Sequence, residues 1–204
     1  MPLIRRENGP PDGTPVTAEV EALLAELHRS NPDARWAAAR RLSAHPGSAP
    51  ALGMALADEA NAHIREAIFT SLGRIGAEAV EVLLPYLRSD DAAMRCGAID
   101  ALQLTPQAVR PHMATLLHDA DADVRLLATE FARPLAPADA TGLLVAVLDH
   151  DPEPNVCAAA VEVLSESGTR EALEPLRRCA ARFPDAPFLA FAIETAVARI
   201  SGGH

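Results

Sequence analysis

The sequence predicts an all-α chain, an α/α superhelix (right-handed solenoid) of about six helical hairpins. Two observations predict it. Arg35, Arg65, Arg95 and Arg125 stand thirty residues apart, each near the start of an alanine-rich run. Apolar residues keep a fixed phase to them: Ala34, Ile64, Met94 and Val124 one before, Ala38, Ile68, Ala98 and Ala128 three after, and Leu42, Leu72, Leu102 and Ala132 seven after. Residues at those offsets share one helix face. Self-similarity at a period of about 20 to 50 residues marks units too small to bury their own apolar face, which must therefore stack on one another.

The phase continues past the last arginine. A shift of 32 residues reaches Val156, Cys157, Ala160 and Leu164, and a second such shift reaches Phe188, Leu189, Ala192 and Ala196. In this reading Cys157 and Leu189 stand where the arginine stood. Ahead of each such helix comes another with leucines at helical spacing, from Leu23, Leu24 and Leu27 in the first unit to Leu173 and Leu176 in the last. The expected repeats run about 17–46, 47–76, 77–106, 107–137, 138–168 and 169–201, making one repeat domain over 17–201.

Residues 1–16, rich in glycine, proline and charge, read as a flexible tail leading to Thr17, a cap for the first helix. They lack the apolar run of a secretory signal. Within the hairpins, Asn31-Pro32, Asp91, Asp121, Glu153-Pro154 and Asp185 fall where second helices should begin. Their side-chain oxygens can accept from free N–H groups, proline suits the first turn, and carboxylates favour the positive end of the helix dipole. Gly73, Gly76 and Gly168 read as stops, since glycine enters the left-handed conformation at little cost.

The run Leu72-Gly73-Arg74-Ile75-Gly76, then Ala79-Val80, Leu83, Leu84, Leu87, Asp90-Asp91, Met94-Arg95, Ala98 and Leu102, resembles the HEAT repeat of the phycobilisome-lyase type, as do Val124-Arg125 and Ala128. The resemblance covers about residues 17 to 200. It implies an armadillo-type α solenoid. It also keeps open two functions, a non-enzymatic scaffold and a bilin or chromophore lyase-like maturation factor, because this repeat type serves unrelated tasks. Two related activities lose support: no His-Glu pair of the di-iron hydroxylase kind occurs, and one tryptophan in an acidic chain does not suit an alkylpurine glycosylase.

Composition narrows the function. The chain is 49% hydrophobic but only 3% aromatic, so helices must meet through alanine and leucine. No segment approaches the roughly 20 apolar residues that a membrane-spanning helix needs. Cys96, Cys157 and Cys179 sit in separate repeats without Cys-x-x-Cys spacing, which reads as packing in a reducing, cytoplasmic compartment rather than a disulfide. The net charge is −10, all of it carried after Ala44, and this disfavours nucleic acid, whose phosphates an acidic surface repels. The cluster Arg35, Trp36, Arg40 and Arg41 reads as a solvated first-repeat face.

No catalytic residue, metal or cofactor is expected. His118 with Asp119, Asp121 and Asp123, and His150 between Asp149 and Asp151, lie in turns where carboxylates already serve as caps. The expected site is instead the concave face of the second helices. One position past the arginines come Trp36, Glu66, Cys96 and Leu126; five past come Arg40, Thr70, Asp100, Glu130, Glu162 and Glu194, an acidic ridge flanked by Leu127 and Phe131. Trp36, Arg40, Glu66, Asp100, Leu126, Glu130, Glu162 and Glu194 are thus the expected contacts for a basic, partly apolar protein or peptide. Leu189 and Phe191 on the last helix form an expected terminal contact, for a partner or a homodimer.

Overall fold

A computed structural model describes residues 14–202, with side-chain burial from Ala18 onward. Residues 1–13 of the expected tail lie outside the described residues. Every regular element described is helical, as predicted. Hairpin one pairs α1 (Thr14–Glu26) with α2 (Pro32–Leu42), and hairpin two pairs α3 (Ala49–Asp58) with α4 (Ala62–Ile75). Hairpin three leads from α5 (Val80–Leu83) to α6 (Ala92–Gln103), and hairpin four from α7 (Pro106–Val109) and α8 (Met113–Leu116) to α9 (Ala122–Glu130). The fifth is α10 (Pro137–His150) with α11 (Pro154–Ser167), and the sixth α12 (Leu173–Arg182) with α13 (Pro187–Gly202).

The first helices of hairpins three and four are short because prolines interrupt them. Pro85 and Pro111 have no N–H to donate and their rings clash with the preceding turn, so 3-10 turns over Leu84–Arg88 and Arg110–His112 replace α-helix there. Thr17 lies inside α1, three residues past its start, and so does not cap it.

Other ends follow their chemistry more closely. Asn31, Asp91 and Asp121 accept from the N–H two residues on, as expected, while Asn61 does the same for α4. Glu153 occupies the cap position of α11 without a side-chain bond, and Asp185 stays in the turn before α13. Gly76 closes α4 with φ 82°, a backbone only glycine takes cheaply. Gly168 ends α11 in extended backbone instead, φ −66°, and Gly73 is not an end at all but a buried position within α4.

The core is one seam of aliphatic side chains. Leu42, Leu56, Ile68, Leu72, Leu102, Leu144 and Leu148 are fully buried along it, each contributing about 1.5–3 kcal/mol relative to exposure. The register arginines hold the outer edge of this seam. Arg35 donates to the carbonyls of Arg29 and Ser30 in its own turn and reaches Glu59 of the next hairpin at 2.8 Å. Arg65 reaches Asp91 at 3.0 Å, Arg95 grips the Ser89 carbonyl, and Arg125 grips Asp119 and Ala120 while pairing with Asp151 at 2.7 and 3.1 Å.

In hairpin five, where Cys157 replaces the arginine, Arg182 reaches back from α12 and donates to the Leu148 and Asp151 carbonyls. Asp151 lies six residues before Cys157, the same offset as Asp119 from Arg125. The turn therefore keeps its cation from another helix. Cys157 and Cys179 are both fully buried; the Cys157 thiol donates to the Val147 and Asp151 carbonyls, and the neighbouring Cys179 together with burial pushes it up.

Candidate partner-binding face

At four of five junctions the second helices pack closely on each other (α2 on α4, α4 on α6, α9 on α11, α11 on α13), and consecutive first helices generally meet less closely. The second helices thus form one layer of the stack, the layer expected to line the concave side. The exception is α6 with α9, where α9 meets the Leu84–Arg88 turn instead. Side-chain size accounts for it. Gly97 and Ala101 are the α6 positions that meet α4: a Cβ on Gly97 would lie 2.3 Å from the Phe69 ring, and one on Gly73 would lie 2.7 Å from Leu104 and 3.1 Å from Ala101. The equivalent positions in α9 are Leu127 and Phe131, and interaxial distance grows with the side chains at the contact. Phe131, expected beside the ridge, is only 2% exposed and belongs to the core.

The inward positions fall into two halves. In the first, Trp36 stacks on His63 with centroids 5.7 Å apart, and the Arg40 guanidinium lies 4.8 Å from the Trp36 ring. Arg35 and Arg41 of the same cluster are held by Glu59 and Glu19. Next to this, between α4 and α6, runs an open groove of about 540 Å³. Phe69 and Ala101 form its apolar floor, Leu104 stands 61% exposed in its wall, and Cys96 opens onto it. Glu66 and Asp100 stand on opposite banks. Among the described residues neither has an arginine partner; Arg65, also at the rim, is engaged by Asp91.

In the second half the expected ridge is not a free acidic rail. Arg133 binds Glu130 at 2.6 Å, Glu162 at 3.3 Å and Glu166 at 2.6 Å. Hydrogen bonds that Arg133 donates to Glu130 and Glu166 raise its pKa, so this cation stays charged and cancels part of the ridge. Arg133 was invisible to the register because it lies eight residues past Arg125, outside the positions compared. Leu126, one position past Arg125, is half-buried.

The last helix is out of phase with the expectation. Val156, Ala160 and Val163 of α11 correspond by burial to Leu189, Ile193 and Ala196 of α13, a shift of 33 rather than 32. The cause is the turn: residues 183–186 join α12 to α13, one more than the 151–153 that join α10 to α11. Leu189 is consequently fully buried and offers no contact surface, while Phe191, 73% exposed, moves into the inward row of Trp36, Glu66 and Cys96. Glu194 leaves the ridge and takes the position held by buried Phe69, Thr129 and Val161 elsewhere, facing where a further hairpin would stack.

A smaller groove of about 260 Å³ lies between the turns of hairpins four and five and brings together His118, His150, Arg125 and Asp151. Each histidine places Nδ1 on the carbonyl four residues back, at 2.8 Å on Ala114 and 3.2 Å on Ala146. Among the described residues no three His, Cys, Asp or Glu side chains are grouped to hold a metal, and no helix is long and apolar enough to cross a membrane.

Stacked helical hairpins with an arginine-clamped turn edge define a helical-repeat solenoid. The chain belongs to the HEAT repeat family: the family model described as HEAT repeats matches residues 20–103, 49–132 and 109–196. No curated protein matches the sequence. Among solved structures, the archaeal HEAT-like repeats protein from Thermococcus onnurineus NA1 is similar at 15% identity over 91% of this chain and 88% of that one, with a TM-score of 0.48. A designed armadillo repeat protein in complex with the peptide (KR)4 is similar at 16% identity over 89% and 99%, with a TM-score of 0.44.

Proposed function

We propose that this protein is a non-enzymatic scaffold or adaptor that holds a protein or peptide partner of basic and apolar character on the inward face of its second helices. One observation carries the reading: the first half of that face combines exposed carboxylates, Glu66 and Asp100, with an apolar groove already shaped by the α4/α6 packing. Such a surface steers a cationic partner by charge and retains it by apolar anchors. The test is partner capture from a lysate of the source cell by wild type and by Glu66→Arg/Asp100→Arg. The expected outcome is loss of a discrete partner from the variant; equal capture by both removes the reading.

The phycobilisome-lyase resemblance supplies the competing reading, a bilin or chromophore lyase-like maturation factor acting on a client. Gain of visible absorbance on co-expression with client and bilin supports that competitor, whereas a stable complex without chemical change supports the scaffold. Self-association through α13 is a further partner reading, carried by exposed Phe188 and Phe191. Sedimentation that shows a monomer for both wild type and Phe191→Ser eliminates it.

A further inference from the structure

We propose that the α4/α6 groove is a specificity pocket for one large apolar side chain flanked in its own segment by arginine or lysine. This rests on the scaffold reading and assigns the partner's chemistry within it. The floor is apolar, since Phe69 and Ala101 are buried there, with the Phe69 ring lying over Gly97. Leu104 is left 61% exposed at the wall, so an apolar group seated against it removes that surface from water. A volume of about 540 Å³ accommodates a side chain together with the backbone that carries it.

Charge decides which segment enters. Glu66 and Asp100 flank the floor from different helices, and Arg65, the arginine that lines the groove among the described residues, has its guanidinium 3.0 Å from Asp91. An anionic segment meets a carboxylate on either bank, and a neutral one leaves Asp100 without an arginine partner and Glu66 with only the His63 ring, 3.9 Å away. The other half of the face lacks this property, since Arg133 already satisfies Glu130, Glu162 and Glu166. The pocket is therefore confined to hairpins two and three.

Cys96 provides the readout, being the exposed thiol of the groove while Cys157 and Cys179 are buried. The probe is the synthetic peptide Gly-Ser-Arg-Leu-Arg-Ser-Gly, with two controls, serine in place of leucine and glutamate in place of both arginines. N-ethylmaleimide labelling of Cys96 in the full chain is expected to slow as the probe saturates and to stay unchanged with either control. Glu66→Gln and Asp100→Asn, both exposed and checked for an unchanged thermal melt, are expected to weaken protection about two- to fivefold each, the scale of exposed ion pairs.

Binding of the probe by fluorescence anisotropy without slower labelling overturns the pocket and leaves the scaffold reading intact. Absence of probe binding, or equal protection by the glutamate control, overturns the assigned chemistry. Labelling that slows with protein concentration alone, without peptide, overturns it in favour of a second copy of the chain. The scaffold reading itself fails only by the capture experiment, so the two failures are distinguishable.

Discussion

Arg125 illustrates what one residue does here and how much of it can be read. Its register is plain in the sequence, since thirty-residue spacing needs only counting. Its partner is not, because Asp151 lies 26 residues away in the next hairpin's turn and is one of several acids there. The side chains of the pair are 10% and 3% exposed, and breaking such a pair strands a charge away from water. Asp151→Ala is therefore expected to lower stability by about 3 kcal/mol, the lower end of the range for buried pairs because the site borders an open groove. Arg110→Ala, whose pair with Asp139 is half-exposed, is expected to cost about 0–1 kcal/mol. Urea unfolding of the two variants checks the contrast.

At the scale of elements, acidic turns tie each hairpin to its neighbour, and this makes stacking sensitive to acid. A hydrogen bond from Arg35 holds Glu59 below its usual value, the backbone N–H of Ala93 followed by Arg65 does the same for Asp91, and Arg178 for Asp149. Depressed pKa values mean that the folded chain binds fewer protons than the unfolded chain. The stabilisation is present above the ordinary carboxylate value of about 4 and is lost as pH falls through it toward the lower folded values. Thermal unfolding from neutral pH downward is expected to show a falling melting temperature, with a shallower slope for Glu59→Gln.

The same scale shows where periodicity stops being informative. Helices, their order and their buried faces are legible because burial repeats with the helix period. The slip in α13 is not, because one additional turn residue leaves alanines on several faces and either phase looks apolar. The acidic ridge was legible as a row of letters, but its neutralisation by Arg133 depends on three-dimensional neighbours. The groove depends on glycines whose missing side chains have no meaning until the facing helix is known.

Across the whole molecule, close packing of the inner helices divides into α2, α4 and α6 on one side and α9, α11 and α13 on the other. In a repeat array stability is a sum of unit and nearest-neighbour terms, so the weakest interface sets where the array opens. Amide exchange is expected to be faster in α6 and α9 than in α4 and α11, and Leu127→Ala is expected to narrow that difference by letting α9 approach α6. Uniform protection along all six inner helices removes this account.

The lone accessible sulfur in the α4/α6 groove has a practical corollary. Air oxidation that joined two copies through Cys96 would plug both grooves at once, so a preparation stored without reductant would run as a covalent dimer and score as inactive in any binding assay. Restoring the monomer with dithiothreitol, or replacing the sulfur by Cys96→Ser, would bring the lost capacity back.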